Sequence, residues 1–333
     1  MSNLISANNH LEASELSVNQ EEIKKELVFF KEEVLDQAPA NTRKAYLSSY
    51  RVYESFLNER YITSLPREKH ALRAHALDYI DFLLARGDSR STVKSRLWVM
   101  RSVHGHAGLP SLEQDPSLKK AIQLRLNLHR TSRQLQAKPL PVELLNRITT
   151  TPNTDPAVIR NKCIVNVAFD TLGRASEIAA LRWEHVGKNN VLIERSKTDQ
   201  EGVGRECFLS KTSIELLSDL RKHSPMNSPL IFRPMVNHHK FNTDTGPQDV
   251  LSYHAMLNAL RSSIALAGET EPELYSFHST RVGAAVAMRE NGVPLLEIMQ
   301  AGGWKSEAMV LRYTEAIELE KSGAVSLSRT LGR

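Results

Sequence analysis

Residues 274–313, LYSFHSTRVGAAVAMRENGVPLLEIMQAGGWKSEAMVLRY, gather His278, Arg281, Trp304 and Tyr313 into one short stretch. His278 and Arg281 are three positions apart, so a helix places them on one face. Gly292 marks a helix C-terminus, and Pro294 suits the first turn of the next helix. Gly302 and Gly303 break the chain just before Trp304. Ser306 and Glu307 read as the N-cap and acidic first turn of a helix carrying Tyr313. A guanidinium, an imidazole, an indole N–H and a phenol on short helices outline a phosphate site with its own nucleophile. The remaining parts must come from upstream.

Arg174 opens the segment RASEIAALRW, with Glu177 three residues on. On a helix the carboxylate can orient the guanidinium and leave other donors free, although such a pair is also an ordinary surface feature. Residues Val191–Arg195 and Arg205–Leu209 alternate as strands around the turn-rich SKTDQEGVG, which carries Lys197. This is the one β-hairpin the sequence predicts. Helices are expected at Val142–Ile148, Asp155–Leu172, Arg174–Arg182, Ser213–His223 and Gln248–Ala267, with the apolar run Cys163–Phe169 buried.

The charge is unevenly spread. Residues 1–37 hold 3 basic and 8 acidic side chains, residues 38–138 hold 18 and 8, and residues 139–333 hold 22 of each. The excess of +10 in the second block favours a polyanionic partner, against the alternative of an ordinary solvated surface. In the same region helices are expected from Glu21 to Asp36 (Ile23, Leu27, Phe30, Val34 inward), from Asn41 to Asn58 (Tyr46, Tyr50, Tyr53, Leu57 inward), from Pro66 to Gly87, from Ser89 to His104, and from Ser117 to Leu128. Arg43, Lys44, Arg90, Lys94 and Arg101 project outward and suit phosphate contacts. A helical protein-interaction domain is the competing reading.

The fold class is therefore mainly α: an N-terminal helical bundle and a larger, mostly helical catalytic domain with a small antiparallel sheet. The expected divisions are a disordered tail at 1–19, a helical DNA-binding domain at 20–130, a linker at 131–141 and the catalytic domain at 142–333. Cys163 and Cys207 read as buried, reduced thiols. No apolar run approaches membrane-spanning length, and the polar start lacks a signal-peptide core, so a cytoplasmic location is expected. No carboxylate cluster or Gly-rich phosphate loop has the spacing of a nuclease or an ATPase, and neither metal nor cofactor is expected.

The ordered set Arg174, Glu177, Lys197, His278, Arg281, Trp304, Tyr313 resembles the tyrosine recombinase (phage-integrase) family. The resemblance rests on TLGRASEIAALRW, ERSKTD, FHSTRVGAA, EIMQAGGW and the Tyr313 helix, with weaker matches at LARG (84–87) and GLP (108–110). Most of the family has a second His where this chain has Trp304, so the Trp places it in a particular branch. In the implied chemistry, Arg174, Arg281, His278 and Trp304 donate to the phosphate oxygens, and Tyr313 attacks phosphorus. Lys197 protonates the leaving oxygen, and Glu177 orients the site. The resemblance also implies a homotetramer on inverted-repeat DNA, a Holliday junction, and a C-terminal tail docking on a neighbouring subunit. It further implies a helix near 248–262 in the major groove, where His254, Asn258 and Arg261 could reach base edges. A non-catalytic DNA-binding relative and a type IB topoisomerase are the alternatives.

Overall fold

Among the described residues, two helices start at an Asp-Pro pair, and three others are capped by a serine side chain. The computed structural model describes residues 25–331 except 27, 63–64, 67, 110–114, 130–136, 153, 195–203, 226–227, 238–239, 242–249 and 321–322. The chain forms two compact units, Met1–Gln134 and Leu135–Arg333.

The described residues of the N-terminal unit include a π-helical turn, Phe30–Leu35, and the α-helices α1 Ala40–Glu59, α2 Lys69–Ala85, α3 Arg90–His106 and α4 Pro116–Leu128. Ser89 caps α3 by accepting from the Thr92 amide, and Asp115 caps α4 from Leu118 with Pro116 at the first helical position. Tyr46, Tyr50, Tyr53 and Leu57 of α1 are buried as their spacing predicts, and so are Val93, Leu97 and Met100 of α3. On the Glu21–Asp36 segment the expected face shifts. Leu35 goes inward and Val34 stays exposed, because the wider π turn aligns Phe30 with the residue five positions on. Ile23 and Leu27 lie outside the described residues, as does the 1–19 tail.

The second unit is built on α6, Pro156–Thr171, which packs against α5 Val142–Thr150, α8 Lys211–His223, α9 Tyr253–Leu266 and α10 His278–Glu290. Asp155 caps α6 and Pro156 comes next; Ser210 and Ser252 cap α8 and α9. Cys163, Ile164, Val165, Val167 and Ala168 are almost fully buried, which explains why α6 shows no polar face. The expected Arg174–Arg182 helix is shorter: α7 is Ala175–Ala179, followed by a 3-10 turn at Trp183–His185. Strands β1 Asn190–Ile193 and β2 Arg205–Phe208 pair antiparallel, with Val191 opposite Cys207. A second small pair, β3 Met235–Asn237 with β4 Lys240–Phe241, was not legible in the sequence. Helix α11 Leu295–Gly302, α12 Glu307–Glu320 and α13 Gly323–Thr330 complete the unit.

Gly283 fixes how α10 is seated. Leu140 donates its amide to Ser279 O at 2.9 Å, and a Cβ on Gly283 would collide with the Leu140 backbone. The Pro139–Pro141 segment therefore lies directly on the helix that carries His278 and Arg281. No helix among the described residues is long and apolar enough to cross a membrane.

Candidate active site

Four helix ends converge within the second unit. Helix α6 ends in Leu172, whose left-handed conformation (φ 49°) turns the chain into Gly173-Arg174. Arg174 is the N-cap of α7, and Glu177 closes a reciprocal cap. One Glu177 oxygen accepts from the Arg174 amide at 2.9 Å and the other from Arg174 Nη1 at 2.6 Å. The Glu177 side chain is only 3% exposed, so this is a buried carboxylate that orients Arg174 through both of its oxygens.

Helix α10 begins at His278, and one turn later Arg281 points inward at 1% exposure. Its guanidinium lies over the Trp304 ring, 4.1 Å from the centroid. Nη2 donates to Gly302 O at 2.7 Å, and Nη1 donates to Leu172 O. Both acceptors are carbonyls at helix C-termini, where the partial charge favours a cation. A guanidinium has five N–H groups, so donors remain for an anion. Burial first, and the Arg174 charge second, push the Arg281 pKa down to about 10. It remains fully cationic at neutral pH.

Gly303, at φ +61°, ends α11 in the left-handed region and delivers Trp304 into the site at 6% exposure. Tyr313, on α12, meets both neighbours. Its hydroxyl is 3.0 Å from His278 Nε2, and its ring centroid is 5.9 Å from that of Trp304. Desolvation, then the Arg281 and Arg174 charges, hold the His278 pKa below its ordinary 6.5, although part of the ring meets solvent. With its proton on Nδ1, the neutral imidazole can accept the Tyr313 proton at Nε2.

Residues 139–319 match the Phage integrase family. The chain belongs to that family: it is a tyrosine recombinase. Among curated relatives of this recombinase, "Recombinase cre" of Escherichia phage P1 is 27% identical over 98% of both chains. The "Integrase/recombinase xerD homolog" of Selenomonas ruminantium is 23% identical over 86% of this chain and 84% of the relative. Among solved structures, XerH site-specific recombinase bound to palindromic difH substrate, a post-cleavage complex, superposes with a TM-score of 0.63. It is 16% identical and is matched over 94% of this chain and 89% of that one. The Tn1549 transposon integrase in complex with circular intermediate DNA gives 0.61 at 14% identity, over 90% and 98%. These two likenesses establish a shared fold.

Of the recombinase's seven candidate catalytic residues, the structure brings together Arg174, Glu177, His278, Arg281, Trp304 and Tyr313. Lys197 lies outside the described residues. On the N-terminal unit, Lys44 and Lys94 are exposed, while Arg43 donates to Asp36 O and Arg90 to the carbonyls of Asn127 and His129. Arg101 is half-buried on α3. On α9, His254 and Asn258 are exposed, but Arg261 has a structural duty. Its Nε donates to Tyr275 O and its Nη2 to Glu273 O, so it braces the 3-10 turn at Pro272–Leu274.

One residue was missed. Arg205, at the start of β2, sends its side chain inward to Thr171 O, Ala301 O and the Glu177 carboxylate. The available signal was alternation: Arg205 shares the inward face of Cys207 and Leu209, an unusual place for a lone arginine.

Proposed function

We propose that this recombinase cleaves and rejoins DNA at a specific inverted-repeat site through a 3′-phosphotyrosine formed on Tyr313. The observation that carries this reading is the 3.0 Å approach of His278 Nε2 to the Tyr313 hydroxyl, beside a buried arginine stacked on Trp304. The phenol oxygen attacks phosphorus as its proton passes to neutral His278. The bond to the 5′ oxygen breaks, and the phosphodiester energy is kept in the new phosphotyrosine ester. Arg174 and Arg281 stabilise the charge that develops on the nonbridging oxygens, a term of several kcal/mol in comparable sites. Lys197 is assigned the proton for the leaving 5′ hydroxyl. Rejoining reverses these steps with a 5′ hydroxyl from a partner strand.

The assembly in this reading is a homotetramer on two target sites, exchanging one pair of strands at a time through a Holliday junction. Similarity over 98% of the chain to a protein named a recombinase supports strand exchange as the reaction, and the fold is shared with a protein bound to a palindromic site. A palindromic site presents two-fold related half-sites, which suit two copies of one chain. The N-terminal domain, assigned to residues 20–130, supplies phosphate contacts through its basic block, with residues 131–141 as linker. His254 and Asn258 on α9 are assigned to base edges. Leu327 on α13 and Leu331 just after it are 58% and 59% exposed, apolar groups suited to docking on a neighbouring subunit.

The test is to express the protein in cells, denature rapidly and sequence any DNA left covalently attached. Adducts at one repeated inverted motif, absent with Tyr313→Phe, are expected. Adducts scattered without a motif would favour a type IB topoisomerase, and no adduct despite DNA binding would favour a non-catalytic clamp.

A further inference from the structure

Two arginines close the same seam in parallel. Arg281 joins Leu172 O, at the end of α6, to Gly302 O, at the end of α11. One residue back on both helices, Arg205 Nη1 joins Thr171 O, at 3.0 Å, to Ala301 O. Consecutive carbonyls of α6 are thus tied to consecutive carbonyls of α11 by two side chains from different elements. Arg205 Nη2 also lies 3.9 Å from Glu177 Oε2, opposite the oxygen that holds Arg174 Nη1. The turn after α11 folds around this guanidinium: a Cβ on Gly303 would stand 3.3 Å from Arg205 Nε.

The two carbonyls that Arg205 joins each stand just before a turn that presents a site residue. Thr171 precedes the turn that presents Arg174, and Ala301 precedes the turn that presents Trp304. A residue fixed to both controls the spacing between the first arginine and the indole without touching either reacting group. Its side chain is 18% exposed, so solvent competes little with these bonds.

We propose that Arg205 is a positioning residue of the cleavage reaction, acting through the Gly302–Trp304 turn and through Glu177 to set Trp304 and Arg174 against the scissile phosphate. This rests on the recombinase reading given above. Lysine cannot substitute. A single ammonium lacks the planar fork needed to span two carbonyls and a carboxylate.

The test uses full-length protein in a Trp98→Phe, Trp183→Phe background, leaving Trp304 as the sole indole. DNA affinity, melting temperature, Trp304 emission and single-turnover cleavage are measured on the site recovered from the adducts. Arg205→Lys is expected to bind DNA as tightly as the parent and to cleave about 10- to 100-fold more slowly, the usual cost of misplacing a catalytic group. Its Trp304 emission is expected to shift to the red before DNA is added. Combined with Trp304→Phe, it should lose little beyond the worse single variant, because both act on one turn.

Parent-like cleavage with unchanged emission would overturn the proposal. So would strictly additive losses, or slower cleavage that merely tracks weaker DNA binding and a lower melting temperature. Arg205→Ala is run alongside; if it does not fold, Arg205→Lys decides. If the parent itself forms no adduct, the recombinase reading fails and this role with it. A red shift in Arg205→Lys would then still establish the clamp as a structural tie.

Discussion

His278 Nε2 stands 3.0 Å from the Tyr313 hydroxyl, and the two rings meet edge to face at 65°. The imidazole that receives the nucleophile's proton must be neutral, and burial with Arg281 and Arg174 nearby keeps its pKa below 6.5. Cleavage is therefore expected to stay rapid below the pH at which a free imidazole is half protonated, and to fall only at lower pH. The folded pKa is depressed, so the unfolded chain takes up the proton first. This His thus contributes stability that is present above 6.5 and declines as pH falls below it. Single-turnover cleavage across pH measures the first effect. His278→Ala should slow cleavage about 10²- to 10⁴-fold, the usual range for a general base, and abolish that pH limb.

Glu177 holds Arg174 by side chain and backbone while almost wholly buried. Glu177→Gln keeps the shape but removes the anion between Arg174 and Arg205. Breaking a buried pair from one side leaves uncompensated cations, at a cost of about 3–5 kcal/mol when fully buried. Arg174 is 28% exposed, so solvent screening places the expected loss at the low end or below. A lower melting temperature and slower cleavage are both expected. Unchanged melting would mean that the carboxylate does not bear on the two arginines as the geometry indicates.

Much of this site was legible because its signals are local. The His278-x-x-Arg281 spacing, Gly302-Gly303 before Trp304, and the Ser306-Glu307 start of the Tyr313 helix all lie within one stretch. What joins them is not local. Nothing near His278 in the chain says that its ring meets Tyr313, 35 residues on. Arg205 escapes notice for the same reason: its acceptors are backbone carbonyls 34 and 96 residues away, and carbonyls leave no trace in a side-chain pattern. The β3–β4 pair escaped because three residues against two are too few to establish alternation. The inward shift from Val34 to Leu35 escaped because a 3.6-residue period cannot register a π turn.

Two glycines give a matched pair of predictions. A methyl on Gly283 would meet the Leu140 backbone, which cannot step aside as a flexible side chain would. Gly283→Ala should destabilise by about 1–3 kcal/mol, in the range for overpacking a core, and should disturb the seating of α10. Gly105, late in α3, has nothing within 4 Å of the added carbon. Gly105→Ala should be neutral or stabilising by up to about 1 kcal/mol, since alanine restricts the unfolded chain and favours helix. Thermal melts of both variants check the contrast. A destabilised Gly105→Ala would mean that α3 packs there more tightly than the structure allows.

The N-terminal unit carries a buried titratable cluster that predicts its response to acid. Tyr53 Oη lies 2.7 Å from both His75 Nε2 and His104 Nε2. A phenol donates one hydrogen bond, so one histidine must donate to it and the other accept. His104 Nδ1 is buried without a partner, and an unpaired N–H would be costlier there than an unpaired lone pair. The proton therefore belongs on His104 Nε2, which donates to Tyr53, while Tyr53 donates to His75. Protonating His75 would set two donors against each other. Desolvation holds its pKa at about 4 against the pull of Asp78, and desolvation with the His75 charge holds His104 at about 3. Tyr79 and Phe56 ring the cluster and add no cation or anion at neutral pH. Both folded pKa values lie below 6.5, so stability is full above 6.5 and is lost progressively as pH falls toward 4. Urea midpoints of the full chain at pH 7 and pH 5 should show this decline. His104→Gln, which can still donate to Tyr53, should make it shallower. Tyr53→Phe should cost about 1–3 kcal/mol at pH 7 by stranding both imidazoles, and should leave the acid decline in place because the histidines stay buried. An acid limb equally steep in His104→Gln would assign the sensitivity to groups outside this cluster.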